Sequence, residues 1–225
     1  MQNKILGIDF SHLVKDSDSD FFLDANALSD LKKLQACALE NNFNLAIYSS
    51  FRSFEAQCSI WNKKVRGERA LLDSQGNPLF YDELSPKEIL YAIMRWSAIP
   101  GFSRHHWGSD LDIFDAHAMS RSLVQLTPSE VEGDGACAPM HNFLGDILST
   151  YGFYLPYDQD RGGVAPERWH ISHIKTSRIY FEQLSLEFFI QTIEQYKENI
   201  LLSELILEEA EDIYEQFVVN VAPYK

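Results

Sequence analysis

Two histidines and two acidic residues between positions 105 and 170 are of the types that bind a divalent metal and use it for hydrolysis. His105 precedes Asp112 by seven positions, and Glu167 lies three residues before His170. Catalytic zinc typically has three protein ligands, drawn from histidine and carboxylate side chains, and keeps a fourth position for water. A carboxylate that does not bind the metal can take a proton from that water. The four residues are candidates for such a centre, although seven histidines among 33 acidic residues also produce these spacings by chance.

These side chains can act together only if rigid elements bring them to one place. Polar and apolar residues alternate from Ser109 to Ile113, which indicates a half-buried strand. In a strand, Asp110 and Asp112 share one face, whereas Leu111 and Ile113 face the core. We therefore expect two carboxylates to point into a cleft.

A second strand is predicted at residues 43–48, where it would deliver Ser50, Phe51, Arg52 and Ser53 at its end. A helix over residues 25–41 should precede this strand, with Asp24 as its capping residue, and another should follow it over residues 54–66. Two later strands are expected at residues 153–155 and 169–174, with His173 facing away from His170.

The remaining segments are predicted to be a loop and helices. Residues 67–86 have the composition of a long surface loop, and helices are expected over residues 86–97 and 139–151, the second closed by Gly152. The acidic tail over residues 184–221 is interpreted as a helical hairpin with a solvated face. We expect residues 1–180 to form the main domain and residues 181–225 a helical extension packed on it.

Composition narrows the classes of function. A net charge of −14 would repel a phosphate backbone, so nucleic acid is not an expected partner. The three cysteines form no C-x-x-C pair, which indicates free thiols. The first residues lack the apolar region of a secretory signal, and no stretch is long and apolar enough to span a membrane. The chain as written would stay in the cytoplasm, or lie in the periplasm if a leader was trimmed; its oligomeric state is left open.

Three segments, in order, resemble the motifs of the VanY and VanX type D-alanyl-D-alanine carboxypeptidases and dipeptidases. Residues 103–112, SRHHWGSDLD, are similar to the family's S-x-H-x-x-G-x-A-x-D motif, and residues 167–170, ERWH, to its E-x-W-H motif. Residues 50–53, SFRS, followed by Gln57, resemble its S-x-Y-R-S-x-x-x-Q region. The joint occurrence of the three motifs is far more specific than any one of them.

The resemblance implies an α+β fold with a small, mainly antiparallel sheet flanked by helices, and one zinc ion in a groove on the sheet. It implies that the metal ligands are His105, Asp112 and His170. It implies that Glu167 is the general base and that Arg52 stabilises the oxyanion or binds the substrate carbonyl. The residues implied to contact substrate are Ser50, Gln57 and Ser103.

Two positions depart from the motifs. Phe51 replaces the usual tyrosine, which should leave Arg52 in place. Asp110 stands where the family has a small residue, so a second carboxylate could change the charge of the metal site or the choice of substrate. His106 is a rival ligand to His105, but it would break the motif's spacing and is interpreted as a supporting residue. The histidines outside the motifs are interpreted as structural: His12, His117, His141 and His173.

The function expected from the resemblance is that of a metallopeptidase, a cell-wall hydrolase that removes the terminal D-alanine of peptidoglycan stem peptides ending in D-Ala-D-Ala. An L,D-carboxypeptidase or a peptidoglycan endopeptidase of the same fold is the first alternative. A zinc-binding domain without catalysis, as in hedgehog signalling domains of related fold, is the second. The native metal and the exact peptide stay open at this level.

Overall fold

The computed structural model describes residues 1–224 as an α+β protein. The helices are α1 (Gln2–Ile5), α2 (Ala25–Glu40), α3 (Phe54–Val65), α4 (Pro86–Met94), α5 (Pro128–Val131), α6 (Ala138–Ile147), α7 (Ile174–Phe181), α8 (Leu186–Gln195), α9 (Ser203–Glu208) and α10 (Ala210–Ile213). The strands are β1 (Val14–Lys15), β2 (Phe22–Leu23), β3 (Leu45–Ser49), β4 (Asp110–Asp115), β5 (Phe153–Tyr154) and β6 (His170–His173).

Four strands form the sheet that carries the candidate site. Their order is β3-β4-β6-β5 and every neighbouring pair is antiparallel, while β1 and β2 form a separate hairpin. The pairing sets Asp112 directly opposite His170 on neighbouring strands. The predicted α+β class with a small antiparallel sheet is therefore confirmed.

One face of this sheet is covered by α2 and α6. Leu111 and Ile113 of β4 and Ile171 of β6 are fully buried between the sheet and these helices. They form one apolar core with Leu31 and Leu34 of α2. Each such side chain contributes about 1.5–3 kcal/mol through removal from water, so this layer holds the register of the sheet. The alternation predicted for β4 is confirmed, and it leaves the intervening residues for the other face.

The first residues of the helices agree closely with the capping signals in the sequence. The carboxylate of Asp24 accepts hydrogen bonds from the backbone N–H groups of Asn26 and Ala27, which caps α2 as predicted. The helix that begins at Pro86 ends at Met94, three residues before the predicted end, in a tighter turn. The helix α6 continues as a 3-10 turn, Leu148–Tyr151, and Gly152 closes it with a φ of 75°.

A second apolar core joins the C-terminal helices to α3 and α4. Its fully buried members include Trp61, Leu90, Ile93, Phe189 and Ile213. The predicted helical hairpin is wrong in form, because the tail folds as three short helices, α8 to α10, followed by a wide turn.

The break in the tail lies where the chain contacts α3. Leu202 has a φ of 63°, which a regular helix cannot contain, and the preceding segment is tied to α3. The indole N–H of Trp61 donates to the carbonyl of Leu201 at 2.9 Å, and the side-chain amide of Asn62 donates to the carbonyl of Asn199 at 2.8 Å. Across residues 1–224, no helix combines the length and the apolar composition that crossing a membrane requires.

Candidate active site

The three residues that the motifs assign to a metal meet on the open side of the sheet. His105 lies in a 3-10 turn, Arg104–Trp107, Asp112 lies in β4, and His170 begins β6. One side-chain donor atom from each of them lies within 4.8 Å of the others. The Nε2 atom of His105 is 3.4 Å from one carboxylate oxygen of Asp112, and the Nδ1 atom of His170 is 3.3 Å from the other.

Backbone geometry makes this meeting possible. Gly108 connects the turn to β4 with a φ of 67°, a conformation that costs glycine little. A Cβ atom at this position would also lie 2.4 Å from a methyl carbon of Leu13. Gly108 therefore allows the turn that brings His105 over the strand carrying Asp112.

The second nitrogen of each imidazole has a partner that sets the ring orientation. The Nδ1 atom of His105 is 2.9 Å from the carbonyl oxygen of Ser50, and the Nε2 atom of His170 is 2.9 Å from a carboxylate oxygen of Asp110. Both partners are acceptors, so each of these nitrogens carries the hydrogen and donates it. The lone pairs on the other nitrogens then face Asp112, as in histidines that ligate a metal.

This donor set fits a zinc ion. Two neutral imidazoles and one carboxylate are the ligand types of catalytic zinc sites, and all three side chains are buried. Because burial would penalise the charge of Asp112, its low pKa reflects the two histidines beside it. Burial acts to lower the pKa of both imidazoles and prevails at His105, whereas the carboxylates of Asp110 and Asp112 raise the pKa of His170 to about 9. The carboxylates around His170 therefore favour a positive charge, which a bound cation would supply.

Asp110 lies on the same face of β4 but does not open into the cleft. Its carboxylate is fully buried, and it accepts a hydrogen bond at 2.8 Å from the Nε atom of Arg104. Arg104 also donates to the hydroxyls of Tyr154 at 3.0 Å and Ser172 at 2.7 Å. The expectation that both carboxylates point into the cleft is therefore met by Asp112 alone. A buried carboxylate needs a partner charge, and Arg104 supplies it behind the site.

Glu167 lies beside the metal-binding group without belonging to it. One carboxylate oxygen is 3.5 Å from the Nδ1 atom of His170, and the backbone N–H of Glu167 donates to the carbonyl of Tyr157 at 2.9 Å. Burial and the neighbouring charge of Asp112 raise the pKa of Glu167 to about 7, although His170 and Arg52 oppose the rise. A carboxyl group with this pKa can both accept and donate a proton near neutral pH.

Arg52 follows β3 and is held from two sides. Its guanidinium donates to the side-chain oxygen of Gln57 at 2.8 Å, and its backbone carbonyl lies 2.6 Å from the Nδ1 atom of His106. The backbone N–H of Gly101 donates to the other ring nitrogen of His106 at 3.1 Å. Both nitrogens of His106 are thus engaged away from Asp112, which agrees with its interpretation as a supporting residue.

The predicted substrate contacts separate into two groups. Ser103 lines the cavity above the metal-binding group, whereas Gln57 is fully buried and contacts Arg52 and the carbonyl of Ala98 at 2.6 Å. Ser50 is buried, and its backbone carbonyl is the acceptor for His105. Gln57 and Ser50 therefore touch groups that orient the site, rather than the cavity itself.

A cavity of about 340 Å³ opens over His105, Asp112, Glu167 and His170. Its wall residues that were not identified from the sequence include Lys64, Arg69, Trp96 and Tyr157. Lys64 could have been found, because it lies seven residues after Gln57 on one helix and so shares its face. The others arrive through loops, whose path the periodicity does not determine.

The sequence model of one family matches this chain over the segment that contains the site. It describes VanY, D-alanyl-D-alanine carboxypeptidase, and it matches residues 20–176, which is more than half of the chain. The chain belongs to this family. The matched segment includes all three motifs, and membership of the VanY family supports a peptidase.

Two similar sequences are uncharacterized proteins of Haemophilus influenzae. One is 34% identical over 124 residues, covering 54% of this chain and 93% of that protein. The other is 43% identical over 81 residues, covering 36% of this chain and 56% of that protein.

Two solved structures share the fold. VanYB in complex with D-alanine-D-alanine has a TM-score of 0.54 and 22% identity, with coverage of 80% of this chain and 88% of that chain. A glutamate-to-alanine mutant of the D,D-pentapeptidase VanY from a VanB-type vancomycin resistance cassette, in complex with Zn(II), has a TM-score of 0.54 and 23% identity. Its coverage is 78% of this chain and 86% of that chain. At these identities the likeness establishes the fold, and the chemistry must be argued from the site.

Proposed function

We propose that the protein is a zinc-dependent carboxypeptidase that removes the terminal D-alanine of peptidoglycan stem peptides. The observation that carries the proposal is the meeting of His105, Asp112 and His170, with the carboxyl group of Glu167 beside them but outside the cluster. Family membership and the D-alanine-D-alanine and Zn(II) complexes of similar folds support it.

The residues of the cleft divide the reaction between them. A zinc ion held by His105, Asp112 and His170 would supply a Lewis acid for the scissile carbonyl and would lower the pKa of the attacking water. Glu167 takes a proton from the attacking water and returns it to the leaving amine, as its pKa near 7 allows. The guanidinium of Arg52 neutralises the negative charge that develops on the carbonyl oxygen, because it stays charged and offers a fork of donors.

Two kinds of residue orient the substrate: one that lines the cavity, and others that position the cavity residues. Ser103 lines the cavity, while Gln57 acts through Arg52, whose guanidinium donates to its side-chain oxygen at 2.8 Å. Ser50 acts through His105, since its carbonyl fixes the tautomer of that imidazole. Gln57 and Ser50 are thus positioning residues for a substrate that they do not touch.

The test combines metal analysis with product analysis on one preparation. The purified protein should hold about one zinc ion per chain and release D-alanine from a pentapeptide ending in D-Ala-D-Ala. The Glu167→Gln variant should keep its zinc and lose about 10²–10⁴-fold in kcat. A variant that retains full activity would remove Glu167 from its role.

Defined peptides separate the proposal from its alternatives. Mass spectrometry of digests of tetrapeptides and pentapeptides distinguishes loss of the terminal D-alanine from cleavage at an L,D bond or within the peptide. A protein that binds zinc and cleaves none of these peptides would instead be a binding domain. Either result replaces the D,D-carboxypeptidase assignment.

A further inference from the structure

One loop of the cleft carries Glu167 without regular secondary structure of its own. Residues 155–169 join β5 to β6, and they contribute Tyr157, Val164 and Glu167 to the wall of the cavity. Glu167 takes its position from this backbone, because its N–H donates to the carbonyl of Tyr157 at 2.9 Å. Loops of this kind are mobile unless other parts of the fold hold them. The contacts that hold residues 155–169, the Glu167 loop, therefore determine where the carboxyl group lies.

The C-terminal segment of the chain packs along the Glu167 loop. Residues 216–224 donate three hydrogen bonds to backbone carbonyls of the loop: the side-chain amide of Gln216 to Gly162, that of Asn220 to Arg161 at 3.0 Å, and the backbone N–H of Ala222 to Pro156 at 2.8 Å. A carbonyl that lies away from water needs such a donor. The C-terminal segment lies beyond the residues that the family's sequence model matches. These contacts are therefore made by a part of the chain outside the matched family segment.

Gly163 allows the loop and the C-terminal segment to lie close together. A Cβ atom at this position would overlap the backbone carbonyl oxygen of Gln216. The loop has a second anchor in Arg95, which follows α4. The guanidinium of Arg95 donates to the carboxylate of Asp160 at 2.6 and 3.0 Å and to the carbonyl of Gly163 at 2.7 Å. The position of the loop therefore depends on contacts that are separate from the metal-binding group.

We propose that residues 216–224 form a strap that positions Glu167 for proton transfer, with Gln216 and Asn220 as positioning residues. The strap acts through the loop backbone, since it holds the carbonyl that precedes Tyr157, whose own carbonyl accepts from the N–H of Glu167. A catalytic group displaced by about 1 Å can lose about 10²-fold in rate. The candidate metal ligands lie on the sheet and in the turn before it, so zinc binding should not depend on the strap. This inference rests on the proposed function, because it concerns the base of that reaction.

The first test forces the loop and the strap apart. Gly163→Ala places a Cβ atom against the carbonyl of Gln216, so one of the two segments must move. We expect kcat for a pentapeptide ending in D-Ala-D-Ala to fall about 10- to 100-fold, with KM changed by less than about 3-fold and the zinc content unchanged. Gly145→Ala is the matched control, because a Cβ atom at this exposed position of α6 would meet nothing within 4 Å. Its kcat should equal that of the wild type.

A second test removes the side-chain donors of the strap and leaves the sequence of the loop intact. The double variant Gln216→Met with Asn220→Leu keeps side chains of similar size, and it should show the same loss of kcat, with the same KM and zinc content, as Gly163→Ala. Glu215→Gln, at the exposed neighbouring position, is its control and should match the wild type. A wild-type kcat in both tests would overturn the proposal. Loss of zinc in proportion to kcat would overturn it too, because the strap would then support the metal site.

Hydrogen exchange separates this inference from the proposed function, because it requires no turnover. In the double variant, backbone amides of residues 156–168 should exchange about 10- to 100-fold faster, the factor expected for the loss of two hydrogen bonds, while those of residues 110–115 keep the wild-type rate. If the wild-type protein hydrolyses no peptide but the loop of the variant exchanges faster, the strap stands as the anchor of the loop and the proposed function fails. If the wild-type protein releases D-alanine and neither exchange nor kcat changes in the variants, the proposed function stands and the strap fails.

Discussion

The ion pair behind the metal-binding group leads to a prediction about metal affinity. Asp110 contacts the Nε2 atom of His170 at 2.9 Å and the Nε atom of Arg104 at 2.8 Å, and all three side chains are buried. Replacing Asp110 with alanine restores the small residue that the family motif has at this position. It also removes the acceptor of His170 and the counter-charge of Arg104 in one step.

The two losses have different magnitudes and different readouts. Loss of an outer partner of a metal-binding histidine typically weakens metal affinity 10- to 100-fold, which is about 1.4–2.7 kcal/mol. Leaving the guanidinium of Arg104 buried without its carboxylate costs about 3–5 kcal/mol of folding stability. The single variant Asp110→Ala should therefore show both a weaker zinc complex and a less stable apo protein.

A double variant separates the effects. Asp110→Ala with Arg104→Met removes both charges, so most of the folding stability should return, because an apolar pair of similar volume replaces an ion pair at little cost. The zinc affinity should stay low, since His170 still lacks its acceptor. Asp146→Ala, at an exposed position of α6, is the control for the loss of one negative charge.

Zinc affinity is measured by competition with a chelator, and stability by chemical unfolding of the apo protein. The reasoning is refuted if Asp110→Ala binds zinc as tightly as the wild type and unfolds within about 1 kcal/mol of it. Recovery of zinc affinity in the double variant would also contradict it. That result would mean that the carboxylate balances Arg104 and does not orient the imidazole.

Two further predictions concern residues that support the site. Gln57→Leu should lower kcat about 10- to 100-fold with zinc content unchanged, because the guanidinium of Arg52 loses its hydrogen-bond acceptor. Steady-state kinetics with metal analysis checks this, and a normal kcat would contradict it. Gly108→Ala should lower the free energy of unfolding by more than about 1 kcal/mol, because the φ of Gly108 is 67° and an added Cβ atom would meet Leu13. Chemical unfolding measures this, and unchanged stability would show that alanine fits this position without backbone strain.

Local signals predicted the elements that carry the site. The cap at Asp24, the alternation around Leu111 and the glycine after α6 each act within a few residues, and each matches the structure. The grouping of His105, Asp112 and His170 followed from ordered motifs, because spacing alone could not choose among seven histidines.

Interactions between distant residues escaped prediction. The direction of the Asp110 carboxylate depends on Arg104, which is fixed in turn by Ser172, 68 positions away. The tail was predicted as a hairpin because its apolar spacing is helical, but contacts with Trp61 and Asn62 break it near Leu202. The direction of the Asp110 carboxylate and the break near Leu202 both depend on residues far away in the chain. Patterns among neighbouring residues therefore could not predict either of them.

The two apolar cores support different sides of the cleft. The candidate metal ligands Asp112 and His170 lie on strands held by the core under the sheet, where a shift of one residue would turn them to the wrong face. Lys64, which lines the cavity, lies on α3, which the second core joins to the C-terminal helices. Changes in that second core can therefore move this wall of the cavity while the candidate ligands keep their register. We therefore expect changes in peptide preference to arise on the helical side of the cleft, with the candidate metal site preserved.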